Sequence, residues 1–234
     1  MRTQSLSLSL LASVALAGIA NAGLAFSFSD PVPGRQLTNV QGNQYGLGTG
    51  HMSYDQFATL ALFVDGSSEA NPFTHMFSNA RMEMSMAIYT GSTVGGVFSA
   101  ATQGFFRIYD ATTGEDIVRG DATSGAFLRV AGTSSLLLSS DSGFTYTFGA
   151  ALQAALASSG NAGQLPVDPQ EAVFTITDAI TSTGSTSIIG AGGAVKSFTA
   201  NASYSGNVET AAVPAPGTAA LVGLAGLVTR RRRA

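Results

Sequence analysis

The sequence predicts an all-β protein, an antiparallel β-sandwich or jelly-roll-like domain with one short helix. Three observations carry this. Short runs in which large apolar residues alternate with hydroxyl residues recur along the chain, glycine and Asp/Asn clusters separate them, and only one stretch has helical spacing. The runs read as strands are Leu24 to Ser29, Phe57 to Val64, Met82 to Tyr89, Gly95 to Ser99, Phe105 to Tyr109, Ala126 to Val130, Ser135 to Leu138, Phe144 to Phe148, Ala172 to Thr177 and Val195 to Tyr204. Phe26-Ser27-Phe28, Phe174-Thr175-Ile176 and Phe198-Thr199-Ala200 show the period of two that places apolar side chains on one face and polar ones on the other.

The helical stretch lies between the eighth and ninth runs. Phe148, Ala151, Leu152, Ala155 and Leu156 recur at helical spacing in an Ala-rich window, and Gly160-Asn161 supplies the stop. A barrel capped by this helix is the competing arrangement. Outer-membrane barrels also alternate, but they use longer strands and paired aromatic girdles, which these runs lack. Three connections are expected outside the strands. Asp30 to Tyr54, with two prolines and five glycines, reads as an extended surface excursion or a poorly ordered arm. Gly184 to Gly193 reads as a low-complexity loop whose two isoleucines tuck inward, and Thr210 to Val213 as a short stalk.

Composition narrows the function classes. The body from 23 to 212 holds six of the eleven basic residues and all fourteen acidic ones, a formal charge of −8. It offers no basic footprint for nucleic acid. The absence of cysteine excludes disulfides and thiolate metal sites, so stability rests on packing and backbone pairing. With 45% of the chain apolar, the sequence is too hydrophobic to remain unfolded.

Catalytic constellations are sparse. The chain has two histidines, His51 and His75, and no G-x-S-x-G element. Asp110, Glu115, Asp116 and Asp121 are the closest sequence cluster of carboxyls, but they flank a Thr-Gly turn, where acidic residues serve the turn itself. No tryptophan is present to stack on sugars. The expectation is a protein without catalytic activity and without a cofactor. A secreted hydrolase of glycans or esters is the alternative from another class.

Two weaker metal readings stand beside it. The loop Asp110-Ala-Thr-Thr-Gly-Glu115-Asp116 places oxygen ligands around a glycine, although it departs from the EF-hand spacing. His51-Met52, His75-Met76 and the alternating Met82, Met84 and Met86 form a thioether and imidazole set that suits Cu(I). The same methionines fit an ordinary core stripe, and that is the simpler reading.

Both ends read as addresses. Arg2, the Leu/Ala/Val-rich stretch from Leu6 to Ala20, and Ala20-Asn21-Ala22 before Gly23 make a secretory signal peptide over 1–22, cleaved between Ala22 and Gly23. At the other end, Val213-Pro214-Ala215-Pro216-Gly217 leads into an uncharged, mostly apolar run from Thr218 to Thr229, followed by Arg230, Arg231, Arg232 and Arg233. An apolar segment closed by arginines orients in a membrane with the arginines in the cytoplasm. As a helix the run spans about 18 Å, short of the roughly 30 Å hydrocarbon core, which suits a transient anchor.

The tail over 213–234 resembles the PEP-CTERM sorting signal of Gram-negative bacteria: a Pro-x-Pro element at Pro214 and Pro216, an apolar membrane segment and a terminal arginine cluster. Ala215 stands where that signal usually has glutamate. The resemblance implies export by the secretory machinery and a transient inner-membrane intermediate. It also implies processing near Pro-x-Pro by an exosortase, and a destination at the cell surface or in an exopolysaccharide matrix. It covers about a tenth of the chain and implies location rather than activity.

Overall fold

A computed structural model of the protein describes residues 22–29, 34–42, 50–55 and 59–212. In chain order the elements are β1 (Ala22–Ser29), β2 (Leu37–Gln41), β3 (Gly50–Asp55), β4 (Leu60–Gly66), β5 (Phe73–Ile88), β6 (Ser92–Val94), β7 (Val97–Asp110), β8 (Asp116–Val130), β9 (Thr133–Ser139), β10 (Phe144–Phe148), α1 (Ala150–Ser158), β11 (Gln164–Ile180) and β12 (Phe198–Ala212). The expected class is present: every strand pairing is antiparallel, and α1 is the one α-helix among the described residues.

The pairings also join the faces of the sandwich-like body into one sheet. β12 pairs with β2, β2 with β3, β3 with β5, β5 with β7, β7 with β8, β8 with β9, β9 with β11, and β11 again with β12. Closing that circuit removes the free edges that would otherwise recruit other chains. β1 continues the edge of β12 beyond β2 and is flanked on its other side by β4, which pairs with the first half of β5.

The inner face is apolar because the strands alternate. β12 buries Phe198, Ala200, Ala202, Tyr204 and Val208 and turns Ser203, Ser205 and Asn207 away from the core. β5 does the same with Ala80, Met82, Met84 and Met86. Slipping either strand by one position would bring its outward polar side chains into the core, so the alternation holds the register. Arg107, Asp116, Arg119 and Asp121 of β7 and β8 are on the outer surface, the reverse of a membrane barrel's apolar belt, while Arg129 shares the face of Phe127 near the end of β8 and donates to Ser134 Oγ.

Several expectations are corrected. The segment Asp30 to Tyr54 is not simply a surface excursion: it contains β2 and most of β3, and Leu37, Met52 and Tyr54 are buried. Thr210 to Val213 is not a stalk, since β12 continues to Ala212 and Thr210 is buried. Of the expected run Gly95 to Ser99, Gly95 and Gly96 form the turn after β6, and Val97 to Ser99 belong with Phe105 to Tyr109 to one strand, β7. The intervening Thr102-Gln103-Gly104 has turn-like composition, but the ladder crosses it at a bulge. Gly104 has φ of +150°, and a Cβ there would lie 2.0 Å from the Ser85 carbonyl oxygen, so glycine alone fits. With β5, β8, β11 and β12 also extending well beyond the expected runs, the five long strands are 14 to 17 residues long, so strand length does not distinguish this body from a membrane barrel, whereas the apolar interior does.

Other expectations hold. Phe144 to Phe148 is β10, and Leu152, Ala155 and Leu156 of α1 face the core, with Phe148 ending the strand before the helix. In the Gly184 to Gly193 loop, Ile188 is fully buried and Ile189 packs against the core.

Candidate functional site

The end of the sheet where β1 and β12 meet gathers the most unusual chemistry. Antiparallel pairing sets Ala22 opposite Thr210 and Gly23 opposite Glu209. The loop between β4 and β5 folds over this end, because a turn in which Glu69 N donates to Gly66 O directs Ser68 back toward β1. Ser68 Oγ accepts from Gly23 N at 3.0 Å and donates to Gly23 O at 2.9 Å. The next residue, Glu69, is 4% exposed, and its Oε1 accepts from Thr210 Oγ1 at 2.5 Å while Oε2 is buried without a partner. The loop is held from its far side by Asn161, which accepts from Asn71 N and donates to Asn71 O.

Outside this contact lies a cavity of about 400 Å³ whose lining includes Ala22, Gly23, Asp65, Glu171 and Glu209. The two predicted processing residues that fall within the described chain, Ala22 and Gly23, are therefore strand residues in an acidic setting. Ala20, the Val213-Pro214-Ala215-Pro216-Gly217 element and Arg230 to Arg233 lie outside the described residues.

The copper set is divided by the sheet. Met52, Met82, Met84 and Met86 are buried on the inner face. His51 alternates with Met52 and lies on the outer face, where its Nε2 is 2.9 Å from Ser85 Oγ. His75 is exposed far along β5, with its ring against Phe77, and Met76 is 55% exposed. The His51 imidazole is therefore turned away from the buried thioethers, and His75, opposite Val64, is separated from Met82 by seven positions along β5, so the set is not gathered. Among the described residues no group of three His, Asp or Glu side chains is placed to hold a metal.

The Asp110 to Asp116 loop is the hairpin turn between β7 and β8, and the carboxylates of Asp110 and Asp116 are already engaged. Asp110 Oδ1 accepts from Thr112 N and Thr113 N, and these hydrogen bonds hold its carboxyl below the ordinary carboxylate range. Asp116 accepts from Arg107, which also pairs with Glu83 at 2.8 Å and lies over the Tyr109 ring. Arg119 repeats the pattern one strand away, pairing with Asp121 and covering Phe105. Hydrogen bonding to Glu83 and to Asp121, opposed by partial burial, raises each guanidinium above its ordinary value. The outer face of β5, β7 and β8 thus carries two guanidiniums paired with three carboxylates and flanked by aromatic rings.

The contact between His51 and Ser85 has the distance of a nucleophile and base, and sequence spacing gave no signal of it. Its surroundings do not suit acyl transfer. Ser85 sits in β5 where both strand edges are paired, opposite Ser53 and Phe105, so neighbouring backbone N–H groups are committed to the ladder instead of converging on an oxyanion. Burial holds the imidazole below its ordinary value, favouring the neutral ring. Glu69, Ser68 and Thr210 were likewise not legible, because Ser-Ser-Glu between two strands has the composition of an exposed turn.

No family model, curated protein or solved structure matches the chain.

Proposed function

We propose that this protein is exported, trimmed at both ends, and displayed without catalytic activity at the cell surface or in the exopolysaccharide matrix of a Gram-negative bacterium. The observation that carries the reading is the β1–β12 pair. The first strand starts at Ala22, beside the bond read as the signal-peptidase site, and the last ends at Ala212, immediately before the sorting element. Their antiparallel pairing sets Ala22 opposite Thr210, so the start of the first strand and the end of the last lie at one end of the sheet. The secretory machinery and an exosortase are the processing partners, and insertion in the inner membrane is transient. Outward Ser, Thr and Asn side chains and a body charge of −8 suit contact with hydrated polysaccharide, and the lack of a basic excess argues against nucleic acid as a partner.

Intact mass of the protein recovered by fraction from its host, with and without the host's exosortase, tests this. The expected species starts at Gly23, ends near Pro216 and is extracellular only when the enzyme is present. A species that keeps Arg230 to Arg233 in both strains would make the tail a plain anchor. Turnover in glycosidase or esterase panels would overturn the non-catalytic reading.

A further inference from the structure

A buried carboxylate is normally fully paired, because an ionised oxygen withdrawn from water without a donor is costly. Glu69 breaks that pattern with its partnerless Oε2. Gln164, 6% exposed, has a second partnerless acceptor, Oε1. It is on the strand next to Thr210 and diagonal to it, since Gln164 pairs with Ala212 and Pro166 with Thr210. The adjoining cavity is lined by Asp65, Glu171 and Glu209 and by no basic residue. Acceptors and negative charge at one end of the body suit a cation rich in donors.

The chain itself can supply one. Gly23 N points toward the loop that carries Glu69, because it donates to Ser68 Oγ, and Thr210, which binds Glu69, stands opposite Ala22. In the uncleaved chain this nitrogen is an amide whose single proton is given to Ser68. Hydrolysis of the Ala22–Gly23 bond consumes one water, leaves a carboxylate on Ala22 that departs with the leader, and leaves an amine on Gly23 that takes up a proton. The resulting ammonium has three N–H donors, and departure of Ala22 opens the position opposite Thr210.

We infer that the α-ammonium of Gly23 binds the Glu69 carboxylate, so that removal of the leader fastens β1 to the end of β12 and to the β4–β5 loop. This rests on the reading of Ala22–Gly23 as the cleaved bond. Trimming then completes the fold as well as releasing it.

The test uses protein recovered from the exporting host, with its start established by intact mass, in a Lys196→Arg background that removes the chain's one lysine. The rate of α-amine acylation by acetic anhydride at neutral pH is compared for this protein and for its Glu69→Gln and Glu209→Gln forms. An ion pair that raises the amine pKa by one unit lowers the reactive neutral fraction about tenfold. The amine is therefore expected to react about tenfold or more slowly with Glu69 present than in Glu69→Gln, with Glu209→Gln close to the parent. Equal rates with and without Glu69, in protein that starts at Gly23, overturn the ion pair and leave the export reading standing. A start at any other residue overturns both. If Glu69→Gln does not accumulate, forced acetylation of the parent decides: a lower Tm than the mock-treated protein is expected, and an unchanged Tm overturns the inference.

Discussion

In the middle of the body, Phe106 contacts Phe144, Tyr146, Phe174 and Tyr204 at ring-centroid distances between 5.0 and 6.2 Å, whereas at the β1–β12 end Glu69 and Gln164 each bury an oxygen with no partner. The two tyrosine hydroxyls of this ring cluster are satisfied. Tyr146 Oη donates to Glu171 O at 2.9 Å and lies 2.7 Å from Tyr204 Oη. Gly206 makes room for that pair, since a Cβ there would fall 2.2 Å from Tyr146 Oη. The ring cluster is complete in the chain as translated, whereas under the proposed cleavage the end would gain its missing donor from processing. Stability in the first region is a matter of volume, and in the second of charge.

Substitutions should separate the two regions. The largest effect is expected from Phe106→Ala, which removes a fully buried ring at the centre of the cluster and should cost about 3–5 kcal/mol in denaturant unfolding. A loss below about 1 kcal/mol would show that the middle is loosely packed and would break the contrast. Gly206→Ala comes next, at about 1–3 kcal/mol, because its methyl group displaces one of the two tyrosine hydroxyls. An unchanged Tm in that variant would place the hydroxyl pair elsewhere.

Alkali should sharpen the comparison further. Burial pushes the Tyr146 and Tyr204 hydroxyls up from their ordinary value, and Tyr146 is raised further by its charge interaction with Tyr204. Folded groups with raised values hold their protons after the unfolded chain has lost its own, so the stability present below about pH 10 is lost as pH rises beyond it. The Tm of a Tyr146→Phe, Tyr204→Phe variant should fall less steeply above pH 10 than that of the parent, and parallel curves would contradict this. Replacing only Tyr204 by Phe, at neutral pH, should cost about 1 kcal/mol for one neutral hydrogen bond.

Least should follow on the outer face. Arg107→Ala breaks partly exposed ion pairs with Glu83 and Asp116 and should cost about 1 kcal/mol or less, decreasing with added salt. A salt-independent loss of several kcal/mol would mean that this face, too, is held by packing. For the tail, Arg230 to Arg233 replaced by alanine should weaken inner-membrane retention of the precursor, and unchanged retention in fractionation would contradict the orienting role.

Local chemistry was enough to read much of this protein. Alternation announced the inner faces of β1, β10 and β12, and Met82, Met84 and Met86 were legible as a core stripe because three alternate positions share one side of a strand. Helical spacing gave α1, and the composition of the two ends gave the expectation of export. What the tertiary structure decided depends on residues far apart in the chain. Closure of the sheet comes from pairings such as β2 with β12, which also make strands of the Gly-rich segment before Tyr54. Thr210 and Glu69 are 141 positions apart, and their contact turns an ordinary-looking loop glutamate into a buried carboxylate. A period of two specifies which side chains share a face, but neither which strand becomes a neighbour nor which loop closes over its end, because those choices are made by long-range pairing and desolvation.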